Sequence, residues 1–247
     1  MGDERLRELE RRWRESGSPE SEAGWLLERV RLGELDSLML DLAAHLGHPG
    51  ARIARGFADP FPTFAEDEED EEGKRRLLRP WSSKIAQLSA PAARRAAAAA
   101  ARGALPHYEA VWQSPAPRCG VEELERLVKL GAKGDSQNLK RLGGEVEAAI
   151  PDRGYGQPTE RVDRAESAGF AVFDALHCFL SPRVGLYGAL NLADRAMASS
   201  RFESDGASPC DWSRCLASPV SSSAIVALVQ AALVPWALGI ASDGVEA

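Results

Sequence analysis

A chain of 247 residues can bury a substantial core, and a composition that is 44% hydrophobic and 27% charged is ordinary for a folded protein. A net charge of −7 and a pI near 5.3 argue against a broad affinity for nucleic acid, which requires a basic footprint. The opening MGDERLRELERRWRE has no apolar core, so a secretory signal is not expected, and Cys119, Cys178, Cys210 and Cys215 are expected as free thiols in a cytoplasmic chain.

Heavy use of Ala and Leu, with few aromatics, predicts an all-α fold. Leu6, Leu9 and Trp13 recur at spacings of three and four, which places them on one face of a first helix ending near Gly17. Ser18 and Pro19 then predict a capped start for a second helix, with Trp25, Leu26, Val30 and Leu32 inward and Gly33 at its end. A third helix runs from about Asp36 through Leu38, Leu42 and Leu46 to Gly47. Pro49 begins a short fourth, reaching about Arg55. These elements define a small helical module over residues 1–56.

Residues 57–80 hold seven consecutive acidic residues, Glu66 to Glu72, followed by the basic cluster KRRLLR from Lys74 to Arg79. A run that self-repels and cannot bury is expected to be a flexible connection, with a docking site for a basic partner as the alternative. The remaining residues, 81–247, are predicted to form an Ala-rich helical domain. Pro91 opens AARRAAAAAARGAL, whose small side chains favour helix and close packing, and Pro106 is expected to end that helix. After the loop SPAPRCG come helices over Val121–Leu130 and about Leu139–Ile150. Thr159 is expected to cap a longer helix whose apolar side is Val162, Phe170, Phe173, Leu176 and Leu180. Ser-Pro starts at Ser181, Ser208 and Ser218 punctuate the rest.

The last of these helices contains AIVALVQAALVPWALGIA, residues 224–241, which carries no charge. As a helix it would span about 27 Å, just under the roughly 30 Å of a hydrocarbon core. Its eight Ile, Leu and Val residues would contribute only about −2 to −5 kcal/mol to insertion, and Gln230, Pro235 and Gly239 erode that. Ile225, Val229, Leu233, Trp236 and Ile240 instead form one bulky stripe among alanines, the pattern of a helix packed inside a bundle. A buried helix is the expectation, with a membrane-active or tail-anchored protein as the alternative.

Candidate chemistry is sparse. His45 and His48 are three apart, but Gly47 and Pro49 place them about a helix end, where an imidazole interacts with the last carbonyls. His177, Cys178, Cys210 and Cys215 supply thiolate and imidazole ligands for a zinc or thiol site, yet a second closely spaced ligand pair is missing, and buried cysteines acting as small hydrophobes are expected. Cys210, beside a predicted helix start, is the most plausible reactive thiol. Asp163 and Glu166 share a helix face with Arg161 and Arg164 nearby and are expected on a solvated surface. Ser221, Ser222 and Ser223 lack a nucleophile elbow, and GAKGDS, from Gly131, lacks the ending of a phosphate loop. No cofactor, metal or catalytic residue is assigned.

The segments DERLRELERRWRESGSPESEAGWLLERVRLGEL and LDLAAHLGHPGARIA, with the later RRAAAAAARGALPHYEAVW, resemble a helical module found at the front of many uncharacterised bacterial proteins. Some of these are labelled immunity-like, and they often continue into alanine-rich helices. The resemblance brings no catalytic residues with it. The lack of a catalytic motif, together with a sequence of mixed charge, leads to the expectation of a non-enzymatic protein-binding role, as adaptor, inhibitor or immunity-type partner.

Overall fold

The computed structural model describes residues 2–57, 71–151, 159–198 and 224–240. Those residues form eleven α-helices and no strand, an all-α fold. The chain divides into two compact units, one of residues 1–62 with 230–247 and one of residues 63–229.

In the first unit α1 (Gly2–Ser16), α2 (Pro19–Leu32), α3 (Ser37–His45) and α4 (Pro49–Ala54) follow one another through tight, capped turns. Gly17 takes φ 62° to end α1. The Ser18 hydroxyl oxygen accepts the Ser21 N–H at 3.2 Å, as the Ser-Pro start predicts. Gly33, at φ 76°, closes α2 by donating to the Arg29 and Val30 carbonyls. Asp36 caps α3 through the Leu38 N–H at 2.8 Å. The core gathers Leu26, Leu40, Leu42 and Leu46, all fully buried. Trp13 on α1 stacks on Trp25 of α2 with ring centroids 4.5 Å apart. Leu38, expected inward, is 50% exposed, because α3 turns Leu40, Leu42, Ala43 and Ala44 to the core instead.

The second unit holds α5 (Glu71–Leu88), α6 (Ala90–Glu109), α7 (Ala116–Lys129), α8 (Ser136–Ala149), α9 (Glu160–Leu180) and α10 (Pro182–Ala198). Helix α5 begins at Glu71, so the basic cluster expected in the connection is helical. Leu78, Trp81 and Ile85 recur at helical spacing and are buried, which draws the chain into helix through Pro80. Pro106 likewise does not end α6, which continues to Glu109. A proline forfeits the bond to the carbonyl four residues earlier, and Arg102, which carries that carbonyl, is exposed to water. Helix α7 starts earlier than expected, at Ala116, because Pro117 in its first turn gives up no needed N–H.

Close approach between small residues organises this unit. Ala92, Ala93, Ala96, Ala97, Ala100, Ala101 and Ala104 of α6 are fully buried, and α6 packs against α9 and α10. On α9 the completely buried side is Ala165, Ala168, Ala171, Val172 and Ala175, while the predicted Phe170 and Phe173 are only half-buried. Backbones can approach only where side chains are short, so the alanines take the contact and the rings go to its margin. Thr159 holds the N-terminal position of α9 but its hydroxyl makes no capping bond.

The uncharged segment forms α11 (Ala224–Leu238), with residues 224–229 assigned to the second unit and 230–238 to the first. Ile225, Val229 and Leu233 of the predicted stripe are fully buried, and Trp236 is half-buried. No described helix is long and apolar enough to cross a membrane. The Ser208 and Ser218 helix starts lie outside the described residues.

Candidate functional site

Helix α1 sorts its residues into two sides. Leu6, Leu9 and Trp13 face the unit, with Leu9 close to Gly24 of α2. Glu4, Arg7, Glu8 and Arg11 recur at spacings of three and four on the other side. Together with Arg5, and with Arg31 and Leu32 from the end of α2, they line an open groove of about 1130 Å³.

Ion pairs order this surface. Arg11 binds Glu8 at 2.9 Å and Glu15 at 2.7 Å, and Arg12 reaches Glu8 at 2.8 Å. Arg31 grips Glu28 through two nitrogens at 2.6 and 2.8 Å. Glu28 is itself almost wholly covered, and the Arg31 guanidinium holds its carboxyl below the usual range. Arg5 approaches Glu28 only to 3.9 Å, and Arg7 is exposed. The groove therefore offers two loosely held guanidinium groups beside two that are oriented by neighbouring carboxylates. Planar forks of this kind suit carboxylates and backbone carbonyls on a polypeptide.

The same unit exposes Leu27, Leu38, Ile53 and Phe57. Arg55 binds Asp41 at 2.7 Å and donates to the Ser37 carbonyl at 2.6 Å, which brings the end of α4 to the start of α3, next to Leu38. Two further bonds hold the C-terminal half of α11 within this unit. Gln230 donates to the Leu46 carbonyl, and Arg29 to the Leu238 carbonyl, each at 2.6 Å. Sequence reasoning identified neither bond, because a single Gln in an apolar helix carries no sign of its partner.

The thiol and imidazole candidates do not assemble. Cys178 is fully buried with its sulfur 3.6 Å from the Ala93 carbonyl, and burial pushes its thiol up to about 12. His177 is exposed and packs on Phe173 at 4.4 Å. Neighbours on a helix point about 100° apart, so the two cannot converge on one ion. Cys210, Cys215 and the serines 221–223 lie outside the described residues, and no metal-binding cluster of His, Cys, Asp or Glu occurs among the described ones.

The remaining candidates resolve into structure. His45 ends α3 as expected, but His48 belongs to the next helix, where Nδ1 accepts the Ala51 N–H at 3.3 Å and caps α4. GAKGDS is the turn between α7 and α8, in which Asp135 caps α8. Asp163 and Glu166, expected on a solvated face, are half-buried, as is Arg164, which pairs with Glu160. In the KRRLLR segment Leu78 is buried, and Arg79 lies over the Tyr187 ring at 5.8 Å.

Comparison with protein-family models, with curated proteins and with solved structures finds no match to this chain. The likeness of the opening segments to the helical module named above accordingly rests on those residues alone.

Proposed function

We propose that this chain is a non-enzymatic protein-binding module, an adaptor, inhibitor or immunity-type partner, whose contact surface is the first unit. The observation that carries the reading is the open α1–α2 groove, lined by Arg5, Arg7, Arg11 and Arg31 with Glu4 and Glu8. Its breadth suits a polypeptide segment better than a small molecule, which is usually enclosed by a concave apolar pocket. Interspersed charges of both signs give specificity and steer encounter, and the exposed Leu27, Leu38, Ile53 and Phe57 supply apolar anchors of the kind that sit at interface cores.

The test is affinity capture from cells that express the chain naturally, with the wild type and an Arg5→Glu/Arg7→Glu variant run side by side. Both side chains are exposed, so the variant leaves the core intact. The expected result is one reproducible partner protein held by the wild type, with binding that weakens as salt rises and falls at least tenfold in the variant. A wild type that captures nothing reproducibly, or a partner held equally by both, overturns the proposal.

A further inference from the structure

Two ionisable side chains meet beneath the surface where α2 packs on α4. Glu22 keeps 12% of its side-chain surface and His48 17%, with Oε1 and Nε2 3.6 Å apart. The carboxyl presses directly on Gly50, where an added methyl would stand only 2.5 Å from Oε2. His48 has a second task, since its Nδ1 accepts the Ala51 N–H as the cap of α4. A neutral imidazole that accepts at Nδ1 carries its hydrogen on Nε2, the nitrogen that faces Glu22.

Several other charged groups on the helices packed here have contacts of their own. From α1, Arg5 approaches Glu28, which Arg31 holds. On α2, Arg29 donates to the Leu238 carbonyl. On α3, Asp41 binds Arg55, and His45 has an interaction of its own. On α4, Arg52 lies over the Phe57 ring at 5.2 Å.

We propose that Glu22 and His48 together hold a single titratable proton in the folded chain and form a pH-operated latch between α2 and α4, closed while the pair holds that one proton. With one proton the pair is neutral overall, whichever atom carries it. Removing it leaves a negative charge in a confined site, and adding a second leaves a positive charge and takes from α4 the nitrogen that caps it.

Burial supports this arrangement from both sides, pushing Glu22 up to about 7 and His48 down to about 4. For Glu22 the folded state binds its proton more tightly than the unfolded chain, so stability is lost as pH rises from the ordinary carboxyl range towards 7. For His48 the unfolded chain binds more tightly, so stability is lost as pH falls from the ordinary imidazole range towards 4. Where the two windows overlap, from about pH 4.5 to about 6.5, both states hold one proton, on Glu22 when folded and on His48 when unfolded. The two slopes cancel, and the pair makes stability flat across that interval.

The experiment uses the full chain. Urea unfolding is followed through the backbone amide signals of residues 19–54 between pH 4.5 and 6.5, for wild type, Glu22→Gln and His48→Asn. Asn preserves the capping oxygen. Relative to the wild type, the folding constant of Glu22→Gln should rise up to tenfold per pH unit and that of His48→Asn should fall up to tenfold per unit, because each variant keeps one of the two opposing proton terms. A direct carbon and nitrogen NMR titration of the wild type accompanies this and needs no variant to fold. It should find Glu22 titrating well above the other glutamates while the His48 ring stays neutral. Parallel slopes in all three proteins, or a Glu22 that titrates with the other carboxylates, overturns the latch.

Discussion

Replacing Gly185 of α10 by alanine tests whether the α9–α10 contact is as close as the structure shows. A methyl group there would stand 2.4 Å from the Cys178 nitrogen, 2.6 Å from its Cα and 2.7 Å from the Asp174 carbonyl oxygen. All three are backbone atoms of α9, so no side-chain rotation relieves the clash. The helices must part by at least about 1 Å to restore ordinary contact, and they do so along the extensive α9–α10 pairing. Overpacking of this kind costs about 1 to 3 kcal/mol, against which alanine's better helix propensity returns about 1 kcal/mol. Gly144 in α8 is the internal control, since it is exposed and an added methyl meets nothing within 4 Å. There the same substitution should stabilise by about 0.5 to 1 kcal/mol. Both positions lie in the second unit, so the propensity gain cancels between them and their difference isolates the packing cost. Urea unfolding monitored by far-ultraviolet circular dichroism should give midpoints in the order Gly144→Ala, wild type, Gly185→Ala. A Gly185→Ala protein as stable as Gly144→Ala would refute the close approach.

Two other consequences are simpler to check. Asp135 accepts the Gln137 and Asn138 N–H groups at 3.3 and 3.1 Å, so Asp135→Ala should lower stability by about 1 kcal/mol in thermal melts while Asp135→Asn keeps most of it. A brief pulse of iodoacetamide, read by peptide mass spectrometry, should modify the exposed Cys119 well before Cys178, whose thiol is buried and pushed up to about 12. The reverse order would contradict the placement of α9.

What the sequence determined by itself was local. The Ser18 cap, the Gly33 terminator and the alanine run of α6 each rest on residues within a turn or two of one another, and each appears where the pattern puts it, whereas the longer stripe of α11 is buried at Ile225, Val229 and Leu233 but only half-buried at Trp236 and Ile240. A run such as 57–80 was harder, since charge repulsion argues for an open chain while Leu78, Trp81 and Ile85 argue for helix, and burial of the latter carried α5 back to Glu71. Tertiary structure alone decided which of two apolar sides of α9 would be innermost, because that depends on how near a neighbour's backbone can come. It also decided the pairing of Glu22 with His48 and of Gln230 with a carbonyl 184 residues away. Nothing in a helical period marks one polar side chain as the partner of another so distant. Such contacts are set by the packing of whole helices, and only when those helices are in place do burial and distance give a carboxyl or an imidazole its chemistry.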